Sequence, residues 1–78
     1  MKTMTCKQLG GSCDKQFRAE TFEQMAELSR THGVEMYKAG DIPHIEAMKK
    51  MQDIMKSPSG IKEWIENKIK EFEALPDD

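Results

Sequence analysis

The sequence predicts an α+β fold in which an N-terminal β-hairpin packs on three α-helices, the last two of them an antiparallel pair. Within residues 2–20, apolar and polar residues alternate roughly on both sides of a glycine pair, which is the pattern of a hairpin. Beyond residue 21, apolar residues recur every three or four positions, which is the period of a helix. Because the chain has 78 residues, we expect one domain with a small core over residues 1–78.

The register of the hairpin follows from which side chains share a face. A two-residue loop of Gly10 and Gly11 sets Met4 opposite Phe17, whereas a four-residue loop sets Met4 opposite Ala19. In both registers one face carries the same four side chains, Met4, Cys6, Phe17 and Ala19. A three-residue loop would divide this set between the two faces, so we reject it.

The first helix is predicted at about residues 22–38. Thr21 followed three positions later by Gln24 is the pattern of a capping box, which marks a helix start. The end of this helix is ambiguous, because one interior glycine costs only about 1 kcal/mol relative to alanine. The helix can therefore stop at Gly33 or continue to Gly40.

The second and third helices are predicted at about residues 42–56 and 58–75. Asp41 and Ser57 are their caps, and each is followed by a proline in the first turn, where the missing N–H has no intrahelical partner to lose. The methionine-rich stripe of the second helix fits core packing or an interaction surface better than Cu(I) binding. We expect Trp64 in the core or at the centre of a self-association interface.

Composition and charge argue against several classes of function. The chain has 12 basic and 14 acidic residues and a net charge of −2, so we expect no nucleic-acid partner. No segment approaches the roughly 20 apolar residues that span a bilayer, and the first ten residues lack the apolar core of a signal peptide. We therefore predict a cytoplasmic protein with no membrane partner. No catalytic motif is present, and we predict that the protein is not an enzyme.

Two cysteines and two histidines are the residues that favour metal chemistry. The C-x6-C spacing is longer than the C-x-x-C that supplies two thiolates to most zinc sites. In the two-residue-loop register, however, Cys6 and Cys13 share the buried hairpin face, and His32 lies on the helix stripe that covers it. These three residues are therefore candidate ligands of a zinc-like metal. Ordinary packing of reduced side chains and a disulfide or redox pair stay open as alternatives, and His44 is interpreted as a surface histidine.

The N-terminal segment resembles a family of small uncharacterised bacterial and archaeal proteins, a domain of unknown function. The motifs that carry the resemblance are Thr5-Cys6-Lys7-Gln8-Leu9-Gly10, Cys13-Asp14, Glu20-Thr21-Phe22-Glu23-Gln24 and His32-Gly33. The first two form the family pattern C-x-x-L-G-x-x-C-[DE]. The resemblance implies that Cys6, Cys13 and His32 are the positions of interest. Many members have a second histidine one turn later, where this chain has Met36, so a fourth ligand would come from Met36, His44 or water.

Two functions follow from these observations. The first is a non-enzymatic binding or regulatory module without a cofactor, which acts through an apolar helical surface on a protein partner or on a second copy of the chain. The alternative is a metal-binding module, with zinc as the metal, or a thiol-redox module. Both versions of the alternative use Cys6, Cys13 and His32.

Overall fold

A computed structural model describes residues 1–77 of the chain. Its elements are β1 (Lys2–Thr5), a 3₁₀ turn (Lys7–Leu9), β2 (Gln16–Ala19), α1 (Phe22–Lys38), α2 (Ile42–Met55) and α3 (Pro58–Ala74). The two strands form an antiparallel hairpin, and three helices follow it. The predicted α+β fold is therefore confirmed. None of the helices described has the length and apolar character needed to cross a membrane.

The hairpin has one of the two predicted registers but a different loop. Met4 pairs with Phe17, as the two-residue loop requires. The strands nevertheless stop at Thr5 and Gln16. The two-residue loop of Gly10 and Gly11 is therefore not formed, because residues 7–9 form the 3₁₀ turn instead of continuing β1.

Two side chains end β1 and start the 3₁₀ turn. The N–H of Thr5 donates to Oε1 of Gln8 at 2.8 Å, and the N–H of Gln8 donates to Oγ1 of Thr5 at 3.1 Å. These bonds satisfy backbone groups that would otherwise need a partner strand. The T-x-x-Q spacing of Thr5 and Gln8 thus indicates a turn, although the alternation of apolar residues in the same segment is typical of a strand.

Helix α1 begins at the predicted capping box and continues through Gly33. The side chain of Thr21 accepts from the N–H of Gln24, and the amide of Gln24 accepts in return from the N–H of Thr21. The chain turns away after α1 at Gly40, whose φ of +74° lies in the region that favours glycine. Of the two predicted ends, the helix uses the later one.

The buried core is small and lies between the hairpin and α1. Its apolar members are Met4, Cys6, Leu9, Phe17, Ala19, Met25 and Phe72. Among residues 1–77, α3 contributes Phe72 alone to this set, and the buried residue of α2 is His44. The apolar stripes of α2 and α3 therefore lie largely outside the core, although we expected them to pack against it.

Candidate metal centre

Four side chains converge beside the loop of the hairpin, and we call them the four-ligand cluster: Cys6, Cys13, His32 and His44. Their ligand atoms all lie within 4.8 Å of one another. Sγ of Cys6 lies 3.6 Å from Nε2 of His44, and Sγ of Cys13 lies 3.3 Å from Nε2 of His32. Cys13 is partly exposed, and the other three side chains are buried. The cluster contains the three predicted ligands and adds His44.

The loop over residues 6–13 brings the two sulfurs together. The N–H of Lys7 donates to the carbonyl of Cys13 at 2.9 Å, and the N–H of Gly11 donates to the carbonyl of Cys6 at 2.8 Å. These bonds fold the loop back on its own beginning. A C-x6-C spacing can therefore place two cysteines on one site, because a 3₁₀ turn takes up the intervening residues.

The two glycines of this loop meet different requirements. Gly10 has a φ of +96°, a conformation that residues with a Cβ rarely adopt. At Gly11 the requirement is space, since a Cβ built there would lie 2.1 Å from Sγ of Cys6. The backbone of Gly11 thus packs directly against the sulfur and helps to fix its position.

Helix α1 supplies His32. This residue is two helical turns beyond Met25, and both side chains are buried. The imidazole packs edge-to-face on Phe17 and on His44, with ring centroids 5.6 Å and 5.1 Å away. Burial and the charges of His44 and Lys15 lower the pKa of His32. The neutral imidazole, which is the form that binds metals, is therefore favoured.

His44 comes from the first turn of α2, and its prediction as a surface histidine is wrong, because the residue is only 5% exposed. Asp41, the N-cap of α2, accepts from the N–H of His44 at 3.1 Å and also contacts Nδ1 of the ring. This side-chain bond raises the pKa of His44 and lowers that of Asp41. When Nδ1 donates to the carboxylate, Nε2 of the neutral ring is left with a lone pair that faces the sulfurs.

The two thiols have different electrostatic environments. Burial raises the pKa of Cys6, against the effect of the N–H groups of Cys13 and Ser12. Burial also opposes ionisation of Cys13, but bonds from the N–H of Lys15 and from the side chains of Cys6 and His44 outweigh it, so the pKa of Cys13 is lowered. Both cysteines are free thiols. Thiolate is the form that binds metal, and Cys13 ionises to thiolate more readily than Cys6 does.

The donor atoms of the cluster fit tetrahedral zinc. Zinc binds sulfur at about 2.3 Å and imidazole nitrogen at about 2.0–2.1 Å, which puts neighbouring S and N ligands about 3.6 Å apart in a tetrahedron. Two of the four S to N distances in the cluster, 3.6 Å and 3.3 Å, are close to this value, and all four ligand atoms lie within 4.8 Å of one another. Two cysteines and two histidines are also a common ligand set of structural zinc sites. Of the fourth ligands left open by the sequence, His44 completes this set.

If the cluster holds zinc, asparagine in place of Asp41 is expected to weaken its binding about 10- to 100-fold, which is the usual effect of losing a carboxylate that orients a ligating histidine. Asparagine caps helices about as well as aspartate, so α2 should keep its stability. Competition with a chromophoric chelator measures the affinity. Asp53→Asn is the matched control, because Asp53 is an exposed residue of α2 that pairs with Lys56. Equal zinc affinity in Asp41→Asn and in the unsubstituted protein would mean that Asp41 acts as a helix cap alone.

Comparison with known proteins gives this chain no relative from which a function could be transferred. No family model, no curated protein and no solved structure matches it. The resemblance to the C-x-x-L-G-x-x-C-[DE] family therefore stays a prediction. A function for the chain has to be inferred from the donor atoms of the cluster, their separations and their burial.

Proposed function

We propose that this chain is a zinc-binding module in which the four-ligand cluster holds a single structural zinc ion. The observation that carries the proposal is the convergence of two sulfurs and two imidazole nitrogens within 4.8 Å. Cysteine and histidine together favour zinc over magnesium or calcium, which prefer oxygen ligands. The contact between Asp41 and His44 adds the carboxylate that commonly orients a zinc-bound histidine.

A structural role is favoured over a catalytic one by the number of protein ligands. Catalytic zinc sites usually have three protein ligands and keep the fourth position for water or substrate. Here four side chains are available, and they would fill the tetrahedron. We therefore propose that the module is not an enzyme and that its zinc acts as a crosslink.

The ligands come from three parts of the chain, so a bound zinc ion would join those parts to one another. Cys6 and Cys13 belong to the hairpin loop, His32 belongs to α1 and His44 belongs to α2. Helix α2 places no apolar side chain among the buried residues described for the core. Zinc at the cluster would therefore attach α2 to the hairpin and to α1.

Elemental analysis of protein purified without chelator tests this function, and we expect one zinc per chain. His44→Ala and Cys13→Ser should lower the zinc content well below one. Met36→Leu should keep one zinc per chain, because His44 and not Met36 is the fourth ligand. Failure of the reduced protein to bind zinc in a direct titration would exclude the proposal, and loss of zinc from Met36→Leu would exclude His44 as the fourth ligand.

Alkylation separates zinc binding from the thiol-redox alternative. In the zinc-loaded protein both thiolates are bound to metal, so we expect Cys6 and Cys13 to react slowly with iodoacetamide and to react faster after chelation. A redox pair has no such dependence on metal. Equal alkylation rates with and without chelator would favour the redox function.

A further inference from the structure

An apolar groove with a volume of about 510 Å³ lies between the three helices and the hairpin loop. Six side chains that line it are Val34, Met48, Met51, Met55, Trp64 and Ile65. Among the described lining residues, Arg30 is the one with a permanent charge, and it pairs with Glu27 at 2.5 Å. The groove therefore offers an almost uncharged apolar surface.

The dimensions of the chain indicate that a large face is left uncovered. A compact monomer of 9.0 kDa is expected to expose about 4,850 Å², whereas this chain exposes 5482 Å². The radius of gyration is 12.4 Å, against about 11.5 Å expected for a compact domain of this length. The extents of 33 × 29 × 15 Å show a flat molecule. The exposed area of the chain is thus roughly 600 Å² larger than the scaling relation predicts, and we call this difference the excess area.

We propose that a second copy of this chain covers the groove and forms a two-fold symmetric dimer. Two copies that each bury the excess area would remove about 1,200 Å² in total, which reaches the range of specific protein interfaces. A two-fold interface uses the same patch on both copies, so each copy supplies a groove and the side chains that fill its partner's groove. Cys6 and His44 of the four-ligand cluster also line the groove, so the dimer is tested on variants of other lining residues, with the zinc content of each variant measured alongside.

A second copy fits the rim of the groove better than a small molecule or a nucleic acid does. Val34, Met55 and Ile65 are 45%, 37% and 38% exposed. A small apolar molecule inside the groove would leave this rim in water, whereas a flat partner covers rim and groove together. A nucleic acid is disfavoured, because Arg30, the permanent cation among the described residues that line the groove, is already paired with Glu27.

Sedimentation equilibrium of the zinc-loaded full chain tests the dimer, together with the fluorescence of Trp64. We expect twice the chain mass of 9.0 kDa at high concentration, and a red shift of the emission on dilution as Trp64 meets water. Val34→Glu should raise the dissociation constant at least about 100-fold, since it buries a charge without a partner. Leu28→Glu is the matched control, because Leu28 is a residue of α1 with a similar exposure of 41% and lies outside the groove lining.

Ile65→Glu repeats the test from α3 and guards against a folding defect in the first variant. Circular dichroism and zinc content should be the same in all three variants. A wild-type protein that stays monomeric at millimolar concentration would overturn the proposal. An equal rise in the dissociation constant of the dimer in Val34→Glu and in Leu28→Glu would also overturn it. A monomer whose Trp64 emission shifts on addition of an apolar dye would also overturn it and would assign the groove to a small ligand.

Discussion

Chelation of zinc is expected to lower the Tm of the reconstituted protein by about 20 °C. A ligand that binds only the folded state contributes about 4.1 kcal/mol when its free concentration is a thousand times its Kd. In a domain of this size each kcal/mol changes the Tm by about 4–8 °C. The core described here has seven buried apolar residues. A single core in so short a chain rarely supplies more than about 3–5 kcal/mol, so metal binding would be a large share of the total stability.

Thermal unfolding followed by circular dichroism, with and without chelator, measures this effect. The Cys6→Ser variant serves as the control, because it should melt at a low temperature whether chelator is present or not. The same Tm for the chelated and the zinc-loaded wild-type protein would contradict the prediction. The four side chains would then be ordinary packing residues.

Substitution of Gly11 by alanine is expected to lower zinc affinity by at least about 100-fold. The added Cβ would lie 2.1 Å from Sγ of Cys6, far inside normal contact distance, so the sulfur or the loop has to move. A zinc site tolerates changes of only about 0.2 Å in its ligand distances. Displacement of the Cys6 sulfur therefore removes one ligand from the proposed tetrahedron.

Gly33→Ala is the matched control for this substitution. A Cβ at Gly33 would lie 3.3 Å from the terminal methyl group of Met48, which is flexible and can move aside. Because Gly33 lies inside α1, alanine should stabilise the helix by up to about 1 kcal/mol. A chelator competition assay and urea unfolding measure the two effects. Unchanged zinc affinity in Gly11→Ala would show that the loop adapts without moving the sulfur.

The sequence was sufficient to place Cys6 and His32 on one side of the fold. The alternation of Met4 and Cys6 fixed their face of the hairpin, and the helical stripe that includes Met25 fixed the direction of His32. Both inferences use local periods, two in a strand and 3.6 in a helix. Keeping the apolar side chains of the hairpin together also reduced the possible registers to two, and the structure has one of them.

The sequence did not reveal the role of His44, because that role depends on where α2 starts in space. A histidine in a first turn, next to a cap residue and a proline, has the appearance of a surface residue. The D-x-x-H spacing of Asp41 and His44 is the signal that could have identified it, since an N-cap carboxylate can reach an imidazole three positions later. The C-x6-C spacing was equally hard to interpret until the 3₁₀ turn was known.

The apolar stripes of α2 and α3 show a different limit of sequence patterns. Periodicity identifies which face of a helix is apolar, but it does not identify what covers that face. Met51 and Trp64 satisfy the pattern of a core, yet both line an open groove. Trp64 is not among the buried core residues described, so the interface is the remaining one of its two predicted places, and sedimentation equilibrium tests it.

With an ion bound at the cluster, the chain would have two levels of local stability. All four lie within residues 6–44, so a bound ion would link the hairpin, α1 and the start of α2. Helix α3 adds Phe72 to the core, and its end meets the hairpin through the ammonium of Lys2, which donates to the carbonyl of Glu73 at 2.9 Å. Amide protons of α3 can thus exchange with solvent by a partial opening that leaves the crosslinked half of the chain intact.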